Sequence, residues 1–199
     1  MALLFHDTRE ITFKVVYCGC PLSGKTTNLA WIHDRMDHGS RGKLVSLATS
    51  QDRTLFFDYL AVETPVVAGF RTRFQLYTVP GQVQYDATRQ IVMRGADGLV
   101  FVADSRAPRQ AANAEAWRSL RAMPGGVPPL PMVLQYNKRD AGDAVSREYL
   151  NQLLGNGEEG LPVIEACAVQ GTGVFPTLNA VARLVLRSFL SQAAGFAVP

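Results

Sequence analysis

The chain has 199 residues, with 20 Lys and Arg against 17 Asp and Glu and a formal charge of +3; that length supports one full core and leaves no room for a second ordinary domain. The basic residues are scattered, with neither runs nor interleaved aromatics, which argues against a nucleic-acid surface. No apolar stretch reaches about 18 residues, the start Met1 to Asp7 is too short and too soon acidic for a signal peptide, and neither end carries a lipidation pattern; a cytoplasmic protein without direct membrane insertion is expected.

Residues 11–18 form a β-rich apolar run, and residues 27–38 carry helical periodicity. Between them stands Gly19-Cys20-Pro21-Leu22-Ser23-Gly24-Lys25-Thr26, a phosphate-binding loop in its required strand-turn-helix setting. Such a turn leaves backbone N–H groups unpaired around one concavity at the positive end of a helix dipole. Gly19 and Gly24 allow close approach to phosphate oxygens. Leu22, Ser23, Gly24, Lys25 and Thr26 present the N–H groups, and Thr27 completes the candidate set. Lys25 is placed to reach the β and γ phosphates, and the Thr26 hydroxyl to ligate Mg2+. The loop alone does not choose between ATP and GTP.

Residues 40–75 are less regular, with strands expected at 43–48, 54–60 and 72–77 as an antiparallel edge turned at Gly69 and Phe70. The last of these, as an apolar run over 72–79, leads into Thr78-Val79-Pro80-Gly81-Gln82. Helical periodicity follows at 84–94, a buried strand at 98–104 and a helix at 109–122. The strand at 131–137 ends in Asn137-Lys138-Arg139-Asp140, a guanine-reading NKxD motif. The Asp140 carboxylate can accept from both N1–H and the 2-amino group of guanine, a pattern that adenine lacks. Asn137 braces the loop, and Lys138 lays its stem over the base. After a helix at 146–154, a strand at 162–168 brings Cys167, Ala168 and Val169 to the sheet end, and a helix with an apolar stripe covers 174–193. Cys18, Cys20 and Cys167 have neither disulfide nor metal-ligand spacing and read as reduced small residues.

Alternating strands and helices predict a three-layer α/β fold, a mostly parallel sheet of about six strands with an antiparallel edge and helices on both faces, spanning the single domain 1–199 with a core at about 8–190. Both candidate loops then lie beyond the carboxyl ends of strands, where open α/β sheets bind ligands.

The segments 22–28, 53–58 (Arg-Thr-Leu-Phe-Phe-Asp), 76–82 (Leu-Tyr-Thr-Val-Pro-Gly-Gln), 101–104 (Phe-Val-Ala-Asp) and 137–140 closely resemble the MglA family, bacterial Ras-like P-loop GTPases of cell polarity and gliding motility, over roughly residues 8–190. The resemblance implies a GTPase binding GTP/GDP with Mg2+, in which Gln82 orients the attacking water and Arg53 serves as an arginine finger in the same chain. It also implies that Gly81 donates to the γ-phosphate, Thr54 reaches Mg2+, and Cys167, Ala168 and Val169 bring backbone N–H to guanine O6. A monomer is expected, meeting a roadblock/LC7-type activator, MglB, at its switch regions, with polarity or motility effectors and recruitment to a cell pole through partners. Phe56, Phe57 and Tyr59 are candidate anchors for the activator, although strand alternation buries some of them.

Thr78 stands where most small GTPases carry aspartate, and two features depart from the family pattern, Pro21 and the connection at 123–131, of which the second leaves nucleotide chemistry unchanged. At Thr78 weaker magnesium anchoring is expected unless Asp58 compensates. Pro21 stands in the loop nearest Gln82, where its ring bears on hydrolysis more than on binding. The connection at 123–131 is short and proline-rich, far from the phosphates. Two other readings stay open: a GTP-binding module with little or no hydrolysis, and a P-loop kinase, which would not need Asp140.

Overall fold

A computed structural model describes residues 2–5, 9–48, 54–67, 69–80, 86–123 and 130–195. Among the described residues eight strands form one sheet: β1 (Leu3–Phe5), β2 (Glu10–Cys18), β3 (Val45–Ala48), β4 (Thr54–Val67), β5 (Phe70–Thr78), β6 (Gly98–Asp104), β7 (Met132–Asn137) and β8 (Val163–Glu165). Their order is β3-β4-β5-β2-β6-β7-β8, with β1 added antiparallel to the start of β2. β5, β2, β6, β7 and β8 run parallel, and β3, β4 and β5 form the antiparallel edge. Eight strands exceed the roughly six expected; the short β1 lies outside every expected run, and β4 continues to Val67 where a strand over 54–60 is expected.

The central strands are near-continuous apolar runs because both of their faces are covered; every residue of β6 and β7 is buried. On one face α1 (Lys25–Arg35) and α6 (Val174–Gly195) pack over Phe13, Val15, Leu76, Val100, Val102 and Val133. On the other, α3 (Gln110–Arg121) and α4 (Arg147–Leu153), with Val92 of α2 (Asp86–Met93), cover Val16, Leu99, Phe101, Leu134 and Tyr136. A short α5 (Asn156–Glu159) precedes β8. Gly98 lets α6 lie directly on β6, since a Cβ there would meet Val185 and Val181. The consequence for function is positional: the ends of β2, β6, β7 and β8 open on the same side, and the loops that follow them converge. Among the described residues, no helix is long and apolar enough to cross a membrane.

Candidate functional site

The loop after β2 is bent by residues that tolerate positive φ. Gly19 has φ 133°, Leu22 61° and Gly24 102°. A Cβ on Gly19 would collide with the Val102 carbonyl, and one on Gly24 with Asn137 Nδ2, so both glycines are required by close approach as well as by conformation. Gly24 is the N-cap of α1, and neither a side-chain cap nor an acidic residue occupies the first turn. The first N–H groups of α1 therefore have no internal satisfaction and face the loop. That is the electrostatic requirement for holding phosphate.

Lys25 folds into this loop, donating to the carbonyls of Gly19 at 3.2 Å and Cys20 at 2.8 Å. Burial pushes its ammonium down to about 8, against the ordinary 10.5. Burial also pushes the neighbouring Cys18 thiol up to about 12, so this cysteine stays protonated beside the lysine.

The Thr26 hydroxyl donates to Asp58 Oδ2 at 2.5 Å, and the Thr78 hydroxyl donates to the same oxygen at 2.7 Å while accepting the Asp58 N–H at 2.9 Å. Asp58 and Thr78 are fully buried. Tyr59 of β4 pairs with Tyr77 of β5, which sets Asp58 opposite Thr78 at the end of the antiparallel ladder. A carboxylate thus reaches the Thr26 hydroxyl from β4, although position 78 carries none. With its proton directed to Asp58, the Thr26 hydroxyl oxygen has the chemistry of an acceptor toward a cation.

The guanine-motif loop closes onto the same place. Asn137 Nδ2 donates to the Ser23 carbonyl at 2.7 Å, and its Oδ1 accepts the Ala168 N–H at 2.9 Å. One buried side chain therefore joins the loops after β2, β7 and β8. Lys138, itself at φ 64°, donates to the Leu22 carbonyl at 2.6 Å and pairs with Asp104 at 3.0 Å. Asp140 is exposed and lies against the Cys167 thiol, which is raised mainly by burial and then by its hydrogen bond to Asp140. Cys167 and Ala168 are buried, and Val169 is exposed.

Asp104, at the end of β6, organises the outer rim. Burial alone would push its carboxyl up, but hydrogen bonds from Arg106 and Lys138 outweigh burial and hold it below the usual carboxylate range. Arg109 lies 3.7 Å from the same carboxylate and donates to the Pro21 carbonyl at 2.6 Å. Cys20 Sγ meets Asn113 Oδ1 at 3.2 Å. Residues 20, 21 and 22 of the phosphate loop are each tied to a neighbouring element, and Pro21 sits in a held loop. Sequence reasoning singled out neither Arg109 nor Asn113; they stand 88 and 93 residues from their loop partners, so no local pattern reveals them.

Arg53, Gly81 and Gln82 lie outside the described residues, as do residues 124–129 of the proline-rich connection. Thr54 begins β4, but its side chain and those of Phe56 and Phe57 also lie outside the description. Tyr59 is half-buried, its ring 5.0 Å from that of Tyr77. Among the described residues no three His, Cys, Asp or Glu side chains converge as a metal site; a cation at Thr26 would draw its ligands from hydroxyls and phosphate oxygens, as Mg2+ at nucleotide sites does.

No protein-family model matches the chain. Among curated proteins it is similar to the mutual gliding-motility protein MglA of Myxococcus xanthus (strain DK1622), 48 % identical over 190 residues that cover 94 % of this chain and 96 % of that protein. With the phosphate loop, the NKxD loop and the sheet order that joins them, this likeness places the chain in the MglA family of small GTPases.

Proposed function

We propose that the protein binds and hydrolyses GTP as a molecular switch in gliding motility and cell polarity, the first of these being the process named for its M. xanthus relative. The observation that carries the reading is the Asn137 bridge, which ties the guanine-motif loop to the Ser23 carbonyl of the phosphate loop. That bond supports reading the two loops as a base reader and a phosphate nest acting on one ligand. Gly19, Leu22, Ser23, Gly24, Lys25, Thr26 and Thr27 hold the phosphates. Asn137, Lys138, Asp140 and the turn Cys167 to Val169 hold guanine. The Ala168 N–H now serves Asn137, so a guanine O6 arriving there shares that donor.

The residues fit Mg2+. Thr26, with its proton on Asp58, and Thr54 would hold it, and bound metal neutralises charge on the phosphate oxygens. Gln82 orients water, Gly81 donates to the γ-phosphate, and Arg53 supplies positive charge; such fingers contribute roughly 10³ to 10⁵ in rate among GTPases. The γ-phosphate orders the loops around residues 53 and 82, so their surface reports the nucleotide state. A roadblock/LC7-type partner of the MglB kind reads them and completes the site, and effectors read the same surface.

A second reading, a module that binds GTP and scarcely turns it over, is favoured by Pro21, whose carbonyl is fixed by Arg109 and whose ring stands in the phosphate loop. Asp140→Asn tests what both share. The carboxylate is expected to discriminate guanine, so the variant loses GDP affinity by two orders of magnitude or more and gains xanthosine diphosphate binding. Unchanged GDP affinity refutes guanine recognition and favours the kinase alternative.

A further inference from the structure

One layer below Asn137, inside the core between sheet and helices, lies a polar cluster that does not face the nucleotide cleft. Asn28 in the first turn of α1, Gln135 in β7 and Thr177 in the first turn of α6 are each 0 % exposed. The two amides meet reciprocally: Asn28 Nδ2 donates to Gln135 Oε1, and Gln135 Nε2 to Asn28 Oδ1, both at 2.9 Å. The second hydrogen of each amide is also spent. Asn28 Nδ2 donates to the Gly24 carbonyl at 2.9 Å, and Gln135 Nε2 donates to Thr177 Oγ1 at 2.9 Å. Thr177 Oγ1 passes its own proton to the Gly173 carbonyl at 2.6 Å.

The surroundings make this an expensive way to fill space. Leu29, Val133, Val174 and Val181 lie in the same core cluster, and apolar side chains at 28 and 135 would pack there without desolvating two amides. A buried hydrogen bond contributes only about 1 kcal/mol net, so stability alone does not account for the network. What a closed pair of planar amides supplies is a single allowed spacing. That spacing runs from the Gly24 carbonyl, at the N-cap of α1, to β7 two residues before Asn137, and on through Thr177 to Gly173, beyond the turn that holds Cys167 to Val169.

We propose that Asn28, Gln135 and Thr177 are positioning residues that fix the distance between the phosphate loop and the guanine loops, so that base and diphosphate are gripped as one rigid ligand. The inference rests on the guanine-nucleotide reading above and deepens it. Asn137 contacts both loops directly, and a guanine O6 arriving at the Ala168 N–H competes for one of its hydrogen bonds; the inner network keeps the register while that exchange occurs. Linked contacts bind more tightly than separate ones only while their separation matches the ligand. Relaxing the spacing therefore speeds release of whole GDP and leaves the grip on either half alone untouched.

The test compares wild type with N28L/Q135M, an apolar pair of similar side-chain shape that leaves Gly24 its backbone hydrogen bond from the residue-28 N–H and Thr177 its bond to Gly173. Dissociation of a fluorescent GDP analogue, pyrophosphate affinity and the Tm of the nucleotide-free protein are measured together. Expected are a Tm equal to or above that of wild type, unchanged pyrophosphate affinity and GDP release about tenfold faster. The exchanged pair N28Q/Q135N, which retains a reciprocal amide contact, restores most of the slow release. A folded N28L/Q135M that releases GDP within twofold of the wild-type rate overturns the inference. Should that variant fail to fold, Thr177→Val severs the link to α6 and the side-chain bond to Gly173 while leaving the amide pair intact; threefold faster release is expected, and an unchanged rate overturns the inference equally. A wild-type protein that binds no guanine nucleotide sinks the parent reading and this one with it, whereas tight wild-type binding with unaltered variants sinks this one alone.

Discussion

Asp58→Asn isolates the carboxylate that reaches Thr26 from β4. In the structure Asp58 Oδ2 accepts from the Thr26 and Thr78 hydroxyls at 2.5 and 2.7 Å with no exposure to solvent. Asparagine keeps the size and one acceptor but removes the charge that draws the Thr26 proton away from the cation face. A hydrogen bond to a charged group contributes about 1.5–3 kcal/mol, and each 1.4 kcal/mol is about a factor of ten. A neutral contact contributes about 0.5–1.5 kcal/mol, so losing the charge alone removes about 1–1.5 kcal/mol and raises the Mg2+ concentration needed for half-maximal retention of GDP by roughly 5- to 10-fold. The assay titrates Mg2+ against release of a fluorescent GDP analogue. Thr78→Val, which leaves the carboxylate on Thr26, shifts the midpoint less. Thr78→Asp sets two buried carboxylates side by side, which cannot both ionise, and lowers Tm; the exchange D58T/T78D removes that clash and recovers stability. A folded Asp58→Asn protein whose Mg2+ midpoint lies within twofold of wild type would refute the role assigned to Asp58.

Two further predictions follow from the phosphate loop. Because burial holds Lys25 at about 8, GDP binding above pH 8 must recharge it: affinity falls by up to about tenfold per pH unit with uptake of up to one proton, read by calorimetry in buffers of different ionisation enthalpy, and Lys25→Met removes this dependence. For the nucleotide-free protein the sign is opposite, since between pH 8 and the ordinary 10.5 the unfolded lysine binds the proton that the folded one has lost, and stability rises with pH. That rise is confined to about pH 8–9: from 9 to the ordinary 10.5 Cys18, raised from 9 to about 12 in the fold, cancels it, and above 10.5 the Cys18 contribution makes stability fall. Gly24→Ala must both hold a φ of 102° and displace Asn137; loss of nucleotide binding with a Tm lowered by several degrees is expected by fluorescence and thermal melts, and wild-type GDP affinity would contradict the bridge.

The parts legible in the sequence are those whose chemistry is contiguous. The phosphate loop and the NKxD tetrapeptide announce themselves because one short stretch supplies the whole geometry, and the strands around them are long apolar runs because both of their faces are covered. β1 escaped, since Leu3-Leu4-Phe5 is too short to show a period and all three side chains are exposed; the four-residue α5 escaped for the same reason. Pairings across the fold were illegible. Asp58 meets Thr78 through antiparallel register, and Asn28 meets Gln135 over 107 residues. A parallel strand carrying glutamine among apolar neighbours was the one local sign, and it did not name the partner. The idea that Asp58 compensates for Thr78 could be raised from residue types but needed the β4–β5 register to acquire a geometry.

Single-turnover hydrolysis of bound GTP, with ATP as control and with and without the roadblock-fold protein of the same genome, tests the proposed switch most directly. Slow turnover of GTP but not ATP, accelerated by the partner and lost in Gln82→Ala and Arg53→Ala, is the predicted result. Tight GTP binding with no turnover under either condition would contradict it and leave a nucleotide-gated binding module.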